Sequence, residues 1–295
     1  MEQQKILVTG AAGLIGKAAY KKLFDLGYSV TGVDNFSRSG STSQENVINC
    51  DLLDFYKNYE NNFDIIFHFA AINGTNSFYS KPNQVIENNI ELDLATFRFA
   101  RTNNSKVVYA SSSEVVAGNK NVPTPEGEDI TVENIHNPRW SYRFCKILSE
   151  NYLFNSDLDY LIVRFFNVFG EDSREGHFIY DIIKKINKKD FTLIGYNETR
   201  SFCYINDAIN ALLFVAFQQN KTVINIGNDE EISILDAANV ISEILYNKSI
   251  TWNLEKGRTG STSRRCPDIS QLKFFFPSYN PLSFKTAIEK IKHNL

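Results

Sequence analysis

Residues 5–16 read KILVTGAAGLIG, and this stretch decides the fold. Its first five residues, Lys5–Thr9, have the apolar character of a strand that is covered on both faces. Glycines follow at positions 10, 13 and 16. They permit a tight turn and a close backbone approach to a ligand, and the helix after them offers free N–H groups to a pyrophosphate. The alternative is a glycine turn that serves only strand–helix packing, because the spacing is GxxGxxG and not the more common GxGxxG.

Short β-rich runs alternate with longer helical patterns over the first two-thirds of the chain, which predicts βαβ units and a doubly wound parallel sheet in an α/β fold. The predicted strands are Lys5–Thr9, Ser29–Asp34, Ile65–Ala70, Lys106–Ser111, Tyr160–Phe166 and Val223–Ile226. The predicted helices are Leu14–Leu26, Pro82–Arg101, Ser141–Phe154, Gly176–Lys188, Asn206–Phe217 and Ile234–Tyr246. We expect Asn206-Asp207 and Ser233 to be the N-caps of the last two helices.

The rhythm becomes irregular beyond Asn167, which predicts two lobes that are interleaved in sequence. Residues 1–167, with about 202–230, are expected to form the cofactor domain. Residues 168–201 and 231–295 are expected to form a smaller substrate-binding lobe. Gly118–Pro138, with three prolines and several acids, is predicted to be a surface loop.

Composition excludes several classes of protein. The net charge of −3, without a basic block, argues against nucleic acid as the main partner. No apolar run approaches the roughly 18 residues that a membrane span needs, and the chain enters a strand almost at once, so we expect a cytoplasmic protein without a signal peptide. The four cysteines have no metal-ligand spacing, which predicts free thiols and no metal site.

A carboxylate at the end of the second predicted strand supports a dinucleotide site. Asp34 follows Gly16 by 18 residues, close to the roughly 20 that separate the glycines from a carboxylate on the adenosine ribose. An anion there repels a 2′-phosphate, so NAD is favoured over NADP, although Arg38 leaves NADP open. Asp51 is expected to contact the adenine or to serve only a turn.

The run His68-Phe69-Ala70-Ala71 ends a central strand, where open α/β sheets bind their ligands. Small residues there let a cofactor pass close to the backbone. His68 itself is interpreted as a core histidine with satisfied hydrogen bonds. The predicted cofactor contacts up to this point are Gly10, Gly13, Leu14, Ile15, Gly16, Asp34, Asn35, Asp51, Leu52, Phe69, Ala70 and Ala71.

Tyr142 stands four residues before Lys146, and the serine run Ser111–Glu114 lies about thirty residues upstream. Positions i and i+4 share a helix face, so phenol and ammonium are able to meet in one site. A nearby cation favours the phenolate, which lets a tyrosine act as a base below its free pKa near 10. The spacing alone is weak evidence, because Tyr180 and Lys184 repeat it.

With these residues placed, the chain resembles the NAD-dependent epimerase/dehydratase family, the extended short-chain dehydrogenases that modify nucleotide sugars. The ordered matches are TGAAGLIG at 9–16, Asp34, HFAA at 68–71, Asn89, SSSE at 111–114, YRFCK at 142–146, RFFNVFG at 164–170, TRSFCYINDA at 199–208, NIGNDE at 225–230 and RRCPDIS at 264–270. The resemblance implies a Rossmann-type fold with a smaller C-terminal lobe, NAD as cofactor, and a UDP- or GDP-linked sugar as substrate.

The resemblance also implies roles for single residues. Ser112, Tyr142 and Lys146 correspond to the catalytic set, and Tyr142, Lys146 and Asn89 also to cofactor contacts. Ser113 is the neighbour that competes with Ser112 for the serine's role. The implied substrate contacts are Ser112, Ser113, Asn167, Arg200, Arg265 and Asp268. A salt bridge is the alternative for Arg200 and Arg265, and the favoured interpretation for Arg264.

The implied chemistry starts at C4 of the sugar. Tyr142 as phenolate takes the proton of the C4 hydroxyl while C4 gives a hydride to NAD, Lys146 supports the phenolate and holds the nicotinamide ribose, and Ser112 positions the hydroxyl. The family diverges at the resulting 4-keto sugar. From sequence we favour a 4-epimerase. A 4,6-dehydratase with Glu114 as base and a C4 dehydrogenase are the alternatives, and a decarboxylase would need a 6-carboxylate.

Two further expectations concern specificity and assembly. Val115–Gly118 lacks the aromatic residue that the family keeps after the serine run, so the sugar pocket is expected to be reshaped. A non-catalytic NAD-binding regulator is disfavoured because tyrosine and lysine are both present. A homodimer is expected through the Tyr142 helix and the helix before the serine strand, which carry Leu94, Phe97, Phe99, Leu148, Tyr152, Leu153 and Phe154.

Overall fold

The structure is a computed structural model of the chain, and it describes residues 3–37, 44, 46–60, 62–132 and 135–294. The strands are β1 (Lys5–Thr9), β2 (Ser29–Asp34), β3 (Val47–Asn49), β4 (Ile65–His68), β5 (Lys106–Ser112), β6 (Tyr160–Phe165), β7 (Val168–Phe169), β8 (Thr192–Ile194), β9 (Thr199–Ser201), β10 (Cys203–Tyr204), β11 (Thr222–Ile226), β12 (Glu231–Ser233), β13 (Asn253–Glu255) and β14 (Arg264–Arg265). The helices are α1 (Leu14–Asp25), α2 (Leu52–Asn58), α3 (Thr75–Ser80), α4 (Pro82–Asn103), α5 (Trp140–Phe154), α6 (Phe178–Asn187), α7 (Ile205–Gln218), α8 (Ile234–Tyr246), α9 (Ser270–Phe275) and α10 (Phe284–Asn294).

A seven-stranded sheet, parallel throughout, forms the centre of the molecule. Its strand order is β3-β2-β1-β4-β5-β6-β11, and each neighbouring pair is parallel. The chain winds outward from β1 in one direction and then from β4 in the other. This order confirms the predicted doubly wound Rossmann-type sheet. It also places the topological switch point, where such sheets bind their ligands, between the carboxyl ends of β1 and β4.

Both faces of the sheet are covered, which explains the nearly continuous apolar character of its strands. In β1, Ile6 and Val8 join the larger core cluster, whereas Leu7 between them joins the cluster on the opposite face. The larger cluster continues without a break to Ile241 of α8 and Ile288 of α10. Strands and C-terminal helices are therefore held by one shared core, and the division into two lobes stays a prediction.

The predicted elements of the sheet are present, with ends displaced by at most two residues, and the Thr222–Ile226 strand joins the sheet beside β6, as expected. Ser233 is confirmed as an N-cap, since its hydroxyl accepts the Asp236 N–H. The predicted Asn206-Asp207 cap is wrong. Helix α7 begins at Ile205 with no side-chain cap, and the Asp207 carboxylate accepts the Leu282 N–H instead. This contact with a distant segment leaves no local signal in the sequence.

The apolar residues on the helices expected to pair two subunits include both buried and exposed side chains. Phe97 and Leu153 are completely buried in the subunit's own core, so they are unable to contribute to an interface. Leu148 and Phe154 on α5 are half exposed.

No helix in the described part of the chain has both the length and the apolar composition needed to cross a membrane. Cys50, Cys145, Cys203 and Cys266 are free thiols. The described residues contain no cluster of side chains arranged to hold a metal ion.

Candidate active site

The turn after β1 lies at the switch point and fits a pyrophosphate. Gly10 has a left-handed φ of 66°, and a Cβ there would lie 2.7 Å from the backbone nitrogen of Ala70. A Cβ on Gly16 would lie 2.0 Å from the Gly10 oxygen. Helix α1 follows with Gly13 as its N-cap and no side-chain cap, so no side chain covers the N–H groups of its first turn, Leu14–Gly16. Only glycine fits this geometry, and a diphosphate is the group that it suits.

Asp34 lies at the carboxyl end of β2, next to the same turn. Its two carboxylate oxygens accept the N–H groups of Ala12, at 3.0 Å, and Phe36, at 2.7 Å. These contacts fix the carboxylate and leave further lone pairs, as a site for ribose hydroxyls requires. Arg38, the residue that left NADP open, lies outside the described residues. Asn35 accepts the Ser37 N–H in the adjoining loop.

Two predicted cofactor contacts have structural roles. Asp51 is the N-cap of α2, where its carboxylate accepts the Leu53 N–H at 2.9 Å, which is the turn role that sequence left open. Asn89 also holds backbone. It is completely buried, and its amide binds both the N–H and the C=O of Ile72, at 2.7 and 3.0 Å. Asn89 therefore holds the segment after β4, which includes Phe69–Ala71, and its role as a cofactor contact stays a prediction.

Tyr142 and Lys146 lie one turn apart on α5, as predicted. Lys146 Nζ lies 5.7 Å from the centroid of the Tyr142 ring, and the two side chains are almost fully buried. Phe78 stacks on Tyr142 with the centroids 5.0 Å apart. The second copy of the motif differs: Tyr180 and Lys184 are exposed, and Lys184 pairs with Glu175 at the surface. The two copies of the Tyr-x-x-x-Lys motif have the same spacing but differ in burial.

The serine run contributes one partly accessible hydroxyl. Ser112 is half-buried, and its hydroxyl accepts the Glu114 N–H at 3.2 Å. Ser113 is only 3% exposed, and Ser111 donates to the buried carboxylate of Glu150 at 2.5 Å. Exposure thus favours Ser112 over Ser113 as the hydroxyl that meets a substrate.

Glu114 is clamped between two arginines. Arg139 Nη2 and Arg265 Nη1 donate to its Oε1 at 2.7 and 2.8 Å. Burial alone would raise the pKa of this carboxyl, but the two guanidinium groups outweigh it and hold the pKa far below its usual range. Such a carboxylate is a poor proton acceptor. Sequence reasoning missed Arg139, whose only signal was its place three residues before Tyr142.

The remaining predicted substrate residues are partly brought together. Arg200 donates to Glu198 and Ser261, and burial together with Arg265 lowers its pKa to about 10. The Arg265 Nε atom is buried without a hydrogen-bond partner among the described residues, which suits an anionic ligand. Arg264 forms the expected surface salt bridge, with Glu231.

Asn167 and Asp268 hold backbone. Asn167 donates to the Ser201 oxygen at 2.8 Å. Asp268 accepts the Ser270 N–H at 2.7 Å. Arg265 forms its salt bridge with Glu114, at 2.8 Å. The roles of Asn167, Arg265 and Asp268 as substrate contacts stay predictions.

A cavity of about 560 Å³ adjoins these groups. Its wall is formed by the loop after β5, by the first turn of α5 and by residues 259–264. Among the described residues that line it, four are cationic, Lys120, Arg139, Arg143 and Arg264, against one acid, Glu114. The cavity therefore suits an anionic ligand, and Glu114 and Arg143 of its lining are close in sequence to Ser112 and Tyr142.

A second set of buried groups lies behind Lys146. Sequence reasoning missed Asp93 of α4 and Tyr109 of β5: Lys146 donates to the Tyr109 hydroxyl, which donates to Asp93, and none of the three lines the cavity. The signal was an acid on the buried stripe of α4, which otherwise carries Val85, Asn89, Thr96, Phe97 and Ala100. His68 is confirmed as a core histidine: its ring nitrogens bind Thr9 and Asp93.

Comparisons with known proteins agree with this site. The family model of the NAD dependent epimerase/dehydratase family matches residues 6–227. The UDP-N-acetyl-alpha-D-glucosaminuronate decarboxylase of Bacillus cytotoxicus is 32% identical, over 98% of this chain and 96% of its own. A putative UDP-glucose 4-epimerase of Methanocaldococcus jannaschii is 30% identical, over 90% of each chain.

A solved structure extends the comparison. The UDP-glucuronic acid 4-epimerase of Bacillus cereus, in complex with UDP-4-deoxy-4-fluoro-glucuronic acid and NAD, is 28% identical and superposes with a TM-score of 0.82, over 99% of this chain and 100% of that one. The glycine turn, Asp34, the Tyr142–Lys146 pair and these matches lead to one conclusion: the chain belongs to the NAD-dependent epimerase/dehydratase family and is an NAD-dependent enzyme of the nucleotide-sugar epimerases, dehydratases and decarboxylases.

Proposed function

We propose that this enzyme decarboxylates a UDP-linked uronic acid by oxidation at C4, loss of the C6 carboxylate and reduction at C4. The observation that carries the proposal is the cationic cavity lined by Glu114 and Arg139, with Arg265 bound to Glu114. Guanidinium groups recognise carboxylates and diphosphates, and a uronic acid linked to UDP presents both. Two of the three relatives described above act on or bind uronic acids by name.

The residues of the chain supply acid–base chemistry and positioning. Tyr142 takes the proton of the C4 hydroxyl, Lys146 supports the resulting phenolate, and Ser112 holds the C4 oxygen. When bound, NAD would supply the acceptor for the C4 hydride and the donor for its return. Gly10, Gly13 and the first turn of α1 would hold its diphosphate, and Asp34 its adenosine ribose.

Loss of carbon dioxide then needs little further catalysis. In the 4-keto uronic acid the carboxylate is β to the carbonyl, so the C5–C6 bond breaks with its electrons passing into a C4–C5 enolate. Tyr142, now protonated, and Ser112 donate hydrogen bonds to the enolate oxygen. A proton then adds to C5, and C4 is reduced. The sequence of steps is redox-neutral, because the hydride that leaves C4 also returns to it.

The geometry of Glu114 counts against 4,6-dehydration. That reaction needs a base that removes the C5 proton and an acid that protonates the leaving hydroxyl. Glu114 has its carboxylate engaged by Arg139 and Arg265, and its pKa lies far below neutrality. We assign Glu114 the role of orienting the two guanidinium groups at the cavity.

The second candidate is 4-epimerisation, which sequence reasoning favoured. It uses the same groups up to the 4-keto sugar and then requires that the sugar present its other face before reduction. The 30% identity to the putative UDP-glucose 4-epimerase and the likeness to the UDP-glucuronic acid 4-epimerase support it. The two candidates differ in the fate of the C6 carboxylate.

Mass spectrometry of the products distinguishes the candidates. The protein is incubated with NAD and, separately, with UDP-glucuronic acid, UDP-N-acetylglucosaminuronic acid and UDP-glucose. We expect a product that is lighter by one carbon dioxide from at least one uronic acid. We expect no such product from UDP-glucose, which differs from UDP-glucuronic acid only at C6. An isomer of unchanged mass would establish the epimerase instead. A product lighter by one water would contradict both and restore Glu114 as a base.

We further propose that the protein is a homodimer that pairs through α5, with the half-exposed Leu148 and Phe154 in the contact. Sedimentation velocity at micromolar concentration should give the mass of two chains, and a Leu148→Asp variant should sediment as one. A single-chain mass for the unchanged protein would refute the pairing. The division into a cofactor domain and a substrate-binding lobe likewise stays a proposal.

A further inference from the structure

A buried carboxylate lies beside Lys146, and none of the steps above uses it. Asp93, in the middle of α4, is completely buried. Its Oδ2 accepts the Tyr109 hydroxyl at 2.6 Å and the Ser149 hydroxyl at 2.7 Å, and its Oδ1 lies 2.9 Å from His68 Nε2. Lys146 Nζ lies 4.0 Å from Oδ2. Groups from β4, β5 and α5 thus converge on one carboxylate.

The hydrogen bonds around Asp93 all point toward it. A carboxylate only accepts hydrogen bonds, so His68 Nε2 donates to Asp93, and His68 Nδ1 lies 2.8 Å from the Thr9 hydroxyl and 3.3 Å from the Thr96 hydroxyl. A proton relay needs groups that pass a proton onward. Here the hydrogen bonds end at the Asp93 carboxylate, which only accepts them, so the arrangement fixes the negative charge of Asp93 in place.

Asp93 is ionised although it is buried. Burial raises the pKa of a carboxyl, but Lys146 and the hydrogen bonds from His68 and Tyr109 outweigh it, and the pKa of Asp93 lies below its usual value. Burial and the Asp93 charge raise the pKa of Tyr109 well above its ordinary value, so its hydroxyl stays protonated. Tyr109 therefore donates to Asp93 and accepts from Lys146 Nζ at 2.9 Å. The Tyr109 hydroxyl thus connects the Asp93 carboxylate to the Lys146 ammonium.

Asp93 is the counter-charge of the buried Lys146 side chain. Its side chain is 2% exposed, and Nζ lies 4.4 Å over the Tyr109 ring and 5.7 Å from the centroid of the Tyr142 ring. Burial disfavours the charged form of a lysine, and an anion within about 4–6 Å favours it. Without the ammonium, nothing described above would stabilise a phenolate at Tyr142.

We propose that Asp93 is a positioning residue: through Tyr109 it fixes Lys146 Nζ beside Tyr142, and its negative charge keeps that lysine an ammonium. The inference rests on the proposed function only in that Tyr142 and Lys146 are the groups that Asp93 serves.

Two effects of opposite sign make the inference testable. The titratable groups that face Asp93 are Tyr56 on α2, His68 on β4, Tyr109 on β5, and Cys145 and Lys146 on α5. If Lys146 kept its charge without Asp93, loss of the nearby anion would ease ionisation of Tyr142. If Lys146 needs Asp93, the loss removes the ammonium as well, and ionisation of Tyr142 becomes harder.

The test is the titration of Tyr142 in Asp93→Asn, measured without substrate or cofactor. Tyrosines labelled with ¹³C at Cζ report ionisation by NMR, and Tyr142→Phe assigns the resonance. We expect the titration midpoint of Tyr142 to rise by about one pH unit or more in Asp93→Asn. An unchanged or lowered midpoint would overturn the inference.

Two further variants keep the test decisive. Tyr109→Phe removes only the bridge, and we expect a smaller rise of the midpoint; an unchanged midpoint there would refute the bridging role even if Asp93→Asn failed to fold. Ser149→Ala removes a donor to Asp93 and a hydrogen bond with Tyr109 but leaves the Asp93 charge in place, so the midpoint of Tyr142 should shift much less than in Asp93→Asn. A rise equal to that of Asp93→Asn would mean general disturbance of the site and contradict the inference.

Activity gives a second readout. With a substrate identified by product mass, Asp93→Asn should lower kcat about tenfold or more and leave KM within about twofold, because Asp93 lies behind Lys146 and touches no cavity group. A rise of KM with kcat unchanged would contradict the proposed role. Failure of every UDP-sugar to react would refute the proposed function and leave the Tyr142 titration as an independent result.

Discussion

Glu114 shows how a single residue acquires its role from its partners. Its carboxylate holds Arg139 and Arg265, whose side chains are 15% and 6% exposed. Glu114→Gln keeps the shape and removes the charge, which leaves two buried cations without their partner. We expect a loss of about 3 kcal/mol in the free energy of unfolding at pH 7. Glu231→Gln, which breaks the more exposed pair with Arg264, should cost less than about 1 kcal/mol.

The stability that Glu114 contributes should depend on pH with a definite sign. Its folded-state pKa is depressed, so the contribution is fully present above the unfolded pKa of about 4.3 and is lost as pH falls toward the folded value. Urea titrations of the unchanged protein and Glu114→Gln should therefore converge as pH drops below about 4.5. A difference that persisted or grew in acid would show that the ion pairs do not hold Glu114 ionised.

Tyr142→Phe should abolish turnover, by a factor of about a thousand or more, because the ring stays in place while the proton acceptor is lost. NAD affinity, measured by calorimetry, should change less than about threefold. Tyr180→Phe, in the exposed copy of the motif, is the matched control and should leave turnover intact. Turnover within tenfold of normal in Tyr142→Phe would refute the catalytic assignment.

Local pattern predicted some of these residues and missed others for a physical reason. Tyr142, Lys146 and Asp34 stand at fixed offsets from recognisable elements, so spacing was enough to find them. Asp93, Tyr109 and Arg139 act through contacts between elements that are distant in sequence, such as the 16 residues between Asp93 and Tyr109. Only the structure shows that the Asn89 amide binds the backbone of Ile72, because the two residues are 17 positions apart.

At the scale of elements, the β1 turn is the most constrained junction. Gly10→Ala adds a Cβ at 2.7 Å from the Ala70 nitrogen and strains a left-handed backbone, whereas Gly27→Ala strains a similar backbone with nothing within 4 Å. We expect a loss of about 1 kcal/mol for Gly27→Ala and at least twice that for Gly10→Ala. NAD affinity should fall at least tenfold only in Gly10→Ala. Equal effects of the two changes would show that the turn does not approach β4 as described.

The length of an element decided whether its pattern in the sequence was enough to predict it. Six of the seven strands of the central sheet and the longer helices carry sustained apolar patterns, and their ends were predicted to within two residues; the short β3 was not among the predicted strands. The short α2, α3 and α9, and strands of two or three residues such as β7 and β14, depend on tertiary contacts more than on their own pattern. The Asn206-Asp207 cap failed for the same reason, because Asp207 serves Leu282.

At the scale of the whole molecule, the glycine turn, the Tyr142–Lys146 pair and the cavity each have a defined place in the fold. The glycine turn and Asp34 lie at the switch point of the sheet, Tyr142 and Lys146 lie on α5, and the cationic cavity begins at the first turn of that helix. A dinucleotide at the switch point and an anionic sugar nucleotide in the cavity would bring nicotinamide and sugar together at Ser112 and Tyr142. The central claim is therefore that C4 of the sugar gives up a hydride and takes the same hydride back.

The fate of deuterium at C4 tests this claim most directly. UDP-glucuronic acid that carries deuterium at C4 is incubated with the protein and NAD, and the product is examined by mass spectrometry and NMR. We expect a decarboxylated product that retains the deuterium at C4. Deuterium at another carbon, or a product formed with its loss to solvent or to released NADH, would refute the return of the same hydride to C4.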